Sequence, residues 1–210
     1  MLTVHHLRIS QSERIVWLCE ELGLDYTLKL YNRRDDNRLA PDDYKALHPM
    51  GIAPVIQDGD LVLGESGAII EYIVAKHGGG RLTPTKDDPD FAGHLFWFHF
   101  ANGTMMTNGM MAIAAMQAGA TELPPFVAGR TQKAWAMTEQ RLGGAEYFGG
   151  RKLTTADIMM GFQLTTSRAF NNMSLDALPN IKAYLARIGQ RPAYQRAMAK
   201  AEPGMPPKLD

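Results

Sequence analysis

The chain has a single cysteine, Cys19, so no internal disulfide, no Cys-x-x-Cys redox pair and no cysteine-based zinc site is available to it. It also lacks a surplus of charge of either sign, since lysine plus arginine and aspartate plus glutamate both total 22. Without a basic excess there is little to neutralise phosphates or anionic lipid, which argues against a nucleic-acid partner and against a membrane-surface role. No apolar run approaches the roughly 20 residues that cross a bilayer, and the opening MLTVHHLRISQSER has no apolar signal core. A cytoplasmic protein is expected. His5, His6, His94 and His99 show no paired carboxylate and no metal-ligand spacing, so no metal site is expected either.

What is present is ordinary globular material. Of 210 residues, 45% are apolar and 21% charged, enough for a real core in one large domain or two small ones. LTVHHL (2–7) has strand character. In SQSERIVWLCEELGL (10–24), Ile15, Leu18, Cys19 and Leu22 recur at helical spacing. Ser10 and Glu13 stand at capping-box spacing before that helix, and Gly23 supplies its stop. DYTLKLY (25–31) alternates as a second strand. Residues 32–50 are polar, with a short helical turn around Asp42–Leu47. APVIQ and LVLG are two brief strands joined by DGD, a hairpin signal. SGAIIEYIVAKHG (66–78) is a helix with Ile69, Ile70, Ile73 and Val74 inward, ended by glycine. The order is βαβ-α-ββα.

Residues 79–89 mix glycine, proline and charge and read as a linker. Beyond them the two-residue period disappears. Helices are predicted near 90–117, 124–146, 155–170, 178–189 and 192–201, with TTAD (154–157) a second capping box and the tail EPGMPPKLD irregular. The fold class is α+β: a small mixed unit over 1–78 and an all-helical one over 90–210. Cys19 falls on the buried stripe of the first helix, as a small core hydrophobe.

These segments resemble the cytosolic glutathione transferases, whose layout is a thioredoxin-like unit followed by an all-α one. HPMGIAPVI (48–56) is similar to that family's NPxGKVPVL-type segment, and LGESGAIIEYI (63–73) to its L-x-ESxAIxxYI segment. SQSERIVWLCEELGL resembles its first helix, and TTADI (154–158) its [ST]xxD box. The resemblance covers most of the chain.

It implies specific roles. The Ala53–Pro54 bond should be cis, turning the backbone at Ala53 outward to pair with the cysteine of glutathione as an added strand. Ser66, with the free N–H groups of a helix start, should hold the γ-glutamyl carboxylate, and Glu65 should accept from the ammonium. Read without the resemblance, Ser66 is an N-cap and Glu65 a charge suited to the helix dipole. The thiol of a free cysteine has a pKa of about 8.5, so a donor is needed to favour its anion. Ser10 is the candidate, with Ser12 its rival and a cap-only role the alternative. The family often carries Tyr, Ser, Cys or Asn slightly earlier in this loop, where one register places Ile9. Ile52 stands where a Lys or Arg often holds the glycine carboxylate, so His48, Arg33, Arg34 or Arg38 would substitute. Arg14 follows the family's basic residue in the first helix, an exposed or ion-paired side chain being the alternative.

The second substrate, a small hydrophobic electrophile, should meet the sulfur between the two units. FWFHFANGTMMTNGMMAIAAM (96–116) holds five of the chain's 13 methionines, and methionine suits a permissive pocket; Phe100, Met105 and Met106 are the candidates, although helix core is the bland reading of the stretch. The function implied is a glutathione transferase, homodimeric as family members usually are. The rivals are a non-catalytic binding or scaffold protein and a glutathione-dependent reductase, peroxidase or isomerase.

Overall fold

The computed structural model describes residues 1–170 and 173–210. The first unit has the expected order: β1 (Leu2–Leu7), α1 (Glu13–Leu22), β2 (Thr27–Tyr31), α2 (Asp42–Lys45), β3 (Val55–Asp58), β4 (Leu61–Gly64) and α3 (Ser66–Lys76). The sheet runs β2-β1-β3-β4. β1 lies parallel to β2, with Thr3 opposite Thr27, and antiparallel to β3, with Val4 opposite Ile56. The parallel pair requires a crossover, and α1 is that crossover. β3 and β4 form the tight hairpin, turning at Gly59 with φ +60°, a conformation glycine adopts without steric cost.

The remainder is helical: α4 (Phe91–Phe100), α5 (Thr107–Gln117), α6 (Pro125–Gly144), α7 (Thr155–Leu164), α8 (Pro179–Gly189) and α9 (Pro192–Ala201). A π-helical stretch, Ala101–Met106, joins α4 to α5, so the predicted 90–117 helix is one run with a widened turn inside it. Such turns cost backbone hydrogen-bond quality and concentrate at functional sites. After α7 the chain tightens into a 3₁₀ segment, Thr166–Phe170.

The two units share one core. α1 is buried on nearly every side, because it lies under the sheet and packs against both α7 and α9. Gly161 of α7 makes room for Trp17 of α1: a Cβ there would stand 2.7 Å from the indole. Trp17 in turn meets Tyr194 of α9 edge to face at 4.9 Å. Cys19 sits in this core, fully buried, its thiol pushed up to about 12 by desolvation, with the Glu20 charge adding to the rise.

Two local expectations meet different outcomes. Thr154 and Asp157 form a capping box on α7. Ser10 and Glu13 do not form one on α1: the N-cap position falls to Ser12, with no side-chain cap bond. Glu13 turns away to accept from Thr165 and Thr166 at 3.4 and 2.6 Å, so the tertiary packing of the 3₁₀ turn takes the carboxylate that a capping box needs. The tail is irregular as expected yet well anchored, since buried Arg168 donates to the carbonyls of Lys208 and Asp210.

Candidate active site

The loop from β1 to α1 is held from both sides. Ile9 takes a left-handed φ of +55°, which a β-branched residue adopts only when its surroundings enforce it. Glu202, just past α9, accepts the Ile9 N–H and the Arg8 Nε–H. Arg33 donates to the carbonyls of Arg8 and Ile9 at 3.0 and 2.9 Å, and to that of Arg38. Arg33 is therefore committed to the backbone, and Arg34 is paired with Asp36 and Asp42 at the surface.

A chain of side chains starts in this loop. Ser10 Oγ lies 2.7 Å from Ser12 Oγ, Ser12 Oγ 2.7 Å from His6 Nδ1, and His6 Nε2 3.1 Å from Glu202 Oε1. Ser12 Oγ also accepts the Leu7 N–H, and Ser10 Oγ the Ser12 N–H. All four residues are buried, Ser10 least so at 6% exposure. Burial raises the Glu202 carboxyl, but bonds from His6, the Ile9 N–H and Arg8 outweigh it and hold the group below its ordinary value. His6 thus has the carboxylate partner that its sequence spacing did not show. The partner lies 196 residues away.

Gln11 joins the other half of the site. Its Nε2 donates to the Ala53 carbonyl at 3.2 Å, and its Oε1 accepts from Ser66 Oγ at 3.2 Å and from Arg14 Nη1 at 2.7 Å. The Ala53–Pro54 bond is cis. Arg14 Nη1 also donates to Ser66 Oγ at 3.2 Å and to Asn102 Oδ1 at 2.9 Å, so the π-helical turn supplies a member of the network. Arg14 is neither exposed nor in an ion pair, the two alternatives to a ligand role that the sequence left open. It is 1% exposed with its guanidinium 5.3 Å from the Phe162 ring, and its Nε and Nη2 have no hydrogen-bond partner among the described residues. Burial lowers it to about 9, with the Glu13 charge working the other way, so the group is cationic at neutral pH. Ser66 opens α3 above this cation.

The other candidate residues scatter. Glu65 is exposed, at φ +68°, beside Ser66. His48 lies half-buried against Gly64 and accepts the Met50 N–H through Nδ1. Ile52 is 51% exposed. Phe100 and Met105 are core residues: Phe100 stacks on Phe96 at 5.4 Å and meets Trp97 at 4.9 Å, and both belong to the shared cluster. Their apolar surface is used in packing. Met106 is half-buried. Gln11, His6, Asn102 and Glu202 were not singled out by sequence reasoning. Only Gln11, flanked by the two serines, carried a local signal.

Residues 10–76 match the family model described as glutathione S-transferase, N-terminal domain, and residues 106–200 the one described as glutathione S-transferase, C-terminal domain. Glutathione S-transferase 3 of Schizosaccharomyces pombe is 30% identical over 218 residues, covering 96% of this chain and 88% of the relative. A solved glutathione S-transferase from Actinobacillus pleuropneumoniae superposes with a TM-score of 0.88 at 34% identity, covering 96% and 93% of the two chains. A glutathione transferase from Phanerochaete chrysosporium, solved with oxidized glutathione, shares the fold at TM-score 0.72 and 20% identity, with 95% and 94% covered. The chain belongs to the glutathione S-transferase family.

Proposed function

We propose that this chain binds glutathione along the edge beside Pro54 and couples its thiolate to a small hydrophobic electrophile. The observation that carries the reading is the single network at the start of α1, where Ser10, Gln11 and Ser12 touch, respectively, the buried serine chain, Ala53 with Ser66, and His6. A carbonyl has two lone pairs, so Ala53 keeps one for an incoming strand while Gln11 uses the other. Buried Arg14 adds positive charge beneath Ser66, where the helix start already favours a carboxylate. Glu65 takes the ammonium, and His48, which accepts the Met50 N–H two residues before Ile52, is the basic group for the far carboxylate. Ser10 faces the sulfur, with Ser12 behind it. Catalysis then rests on positioning and on a ready anion. The pocket for the electrophile draws on Met106 and the rest of its π-turn. A homodimer in the cytoplasm, in a detoxification role, completes the reading.

The buried, high-pKa Cys19 gives no support to a cysteine-based reductase. The test is thermal unfolding with and without glutathione, alongside conjugation of a model aryl halide. At a hundredfold excess over Kd, a ligand specific for the folded state adds about 2.7 kcal/mol, a rise of several degrees. No rise would sink the reading. A rise without conjugation would favour the non-catalytic alternative, and activity on disulfides or peroxides instead would favour the reductase or peroxidase.

A further inference from the structure

We propose that Ser10, Ser12, His6 and Glu202 form a proton relay that takes the thiol proton inward and stores it on His6. The proposal rests on the glutathione reading above, because it needs a thiol at Ser10. Its physical content is the direction of the hydrogen bonds. With His6 neutral and its Nε2–H donated to Glu202 at 3.1 Å, Nδ1 must accept from Ser12 at 2.7 Å. Of the two acceptors within reach of the Ser12 hydroxyl, His6 Nδ1 at 2.7 Å and the Leu7 carbonyl at 3.3 Å, the nearer takes its only proton, so at 2.7 Å Ser12 must accept the proton of Ser10. Ser10 consequently offers a lone pair outward and acts as an acceptor, whereas stabilising a thiolate requires a donor.

One transfer reverses the chain. The S–H bond breaks and its electron pair stays on sulfur. The thiol proton goes to Ser10 Oγ, the former Ser10 proton to Ser12 Oγ, and the former Ser12 proton to His6 Nδ1. The products are a thiolate and an imidazolium, with total charge unchanged. Every hydroxyl now points the other way, and Ser10 donates to the sulfur it has deprotonated. When sulfur has bonded to carbon, the chain runs back: His6 Nδ1 returns its proton to Ser12, Ser12 passes its own to Ser10, and Ser10 protonates the departing group or a water. Glu202 orients the imidazole by accepting its Nε2–H in both states, the arrangement of a base held by an acid. His6 and Glu202 are positioning residues, because they act through the serines.

Glu202 faces Arg8 of the β1–α1 loop at 3.1 Å, Arg33 just after β2, and the Glu13 carboxylate at the head of α1. Glu202 also closes on the Ile9 N–H, so one carboxylate fixes both the strained loop and the relay.

The test uses the unaltered protein with histidine nitrogens labelled, His6 being assigned by the signal lost in His6→Gln. At pH 7.5 the expected free-protein spectrum shows neutral His6 protonated on Nε2. Glutathione is expected to convert it to imidazolium while the thiolate absorbance near the far ultraviolet edge rises. S-methylglutathione, which has no thiol proton, is expected to bind and leave His6 neutral. A thiolate signal with His6 still neutral, or an imidazolium already present without ligand, would overturn the relay while leaving glutathione binding intact. Failure of either ligand to raise thermal stability would instead remove the glutathione reading and the relay with it. Glu202→Gln is expected to lower the conjugation rate at neutral pH by at least about tenfold and to move the alkaline pH dependence of the rate upward, with glutathione affinity within about twofold. Partial recovery in Glu202→Asp, which restores the charge, separates this from loss of folding.

Discussion

Helices α1 and α7 begin with the same pattern, a hydroxyl followed three residues later by an acid, and the two starts end up doing different work. On α7, Thr154 Oγ1 accepts the Ala156 N–H at 3.2 Å and Asp157 accepts the Thr154 N–H at 2.8 Å. Asp157 further accepts from the Phe148 N–H at 2.9 Å and the Tyr184 hydroxyl at 3.1 Å, closing the network on itself. On α1, Glu13 is drawn to the 3₁₀ turn, and Ser10 and Ser12 face each other and His6. A capping pattern whose groups all find local partners is structural. One whose hydroxyls are left to a tertiary chain is available for chemistry.

The largest effect separating the two starts is expected from Asp157→Ala. It strips the partner from two buried backbone N–H groups and from a buried tyrosine hydroxyl, each orphan costing about 1–3 kcal/mol. Urea unfolding should lose about 3–5 kcal/mol with an unchanged slope. A loss under about 1 kcal/mol would mean that the closed network is not what holds α7.

Glu13 gives the next effect, and its sign depends on pH. Burial raises this carboxyl to about 7, with Thr166 opposing and the Glu202 charge adding to the rise. The folded state therefore holds the proton more tightly than the unfolded chain, whose carboxyl titrates near 4.3. The stability this contributes is fully present below pH 4.3 and is lost as pH rises through about 7. Glu13→Gln keeps acceptors for Thr165 and Thr166 and cannot titrate. Relative to the parent it should gain on the order of 2 kcal/mol between pH 4.5 and 8, read as a diverging pair of melting curves. Parallel curves would show that Glu13 is as ordinary an acid as a cap residue at the surface. Asp157, raised only to about 6 by the same burial because four donors oppose it, should show a smaller version of this slope.

The same contrast explains what the sequence disclosed. Helical spacing, the Asp58–Asp60 turn and the Thr154–Asp157 box are all properties of a few adjacent residues, and all are found where expected; the cis bond at Pro54, which only the family resemblance implied, is there as well. Arg14 was visible as a basic residue but not as a buried one, because α1 is covered by helices that come more than a hundred residues later. His6 looked unpartnered for the same reason: Glu202 sits in a tail whose prolines and glycine predict only irregularity. The widened turn at Ala101–Met106, which brings Asn102 to Arg14, leaves no mark in a pattern that continues as helix on both sides.

The smallest expected difference is also the most direct one between the two starts, the removal of each hydroxyl alone. Thr154→Ala breaks a cap bond that nothing else replaces and should cost about 1–2 kcal/mol. Ser10→Ala removes an acceptor 3.2 Å from the Ser12 N–H, but Ser12 Oγ keeps Leu7 and His6, so its cost should be about 1 kcal/mol or less. Conjugation should respond in the opposite order, with Ser10→Ala slowing turnover about tenfold, the equivalent of one pKa unit of lost thiolate stabilisation, and Thr154→Ala leaving it within about twofold once folded. Measuring both variants by urea unfolding and by rate at pH 7 gives four numbers. If Ser10→Ala proves the costlier to folding and the milder to turnover, the hydroxyl is a cap after all, and the two helix starts are alike.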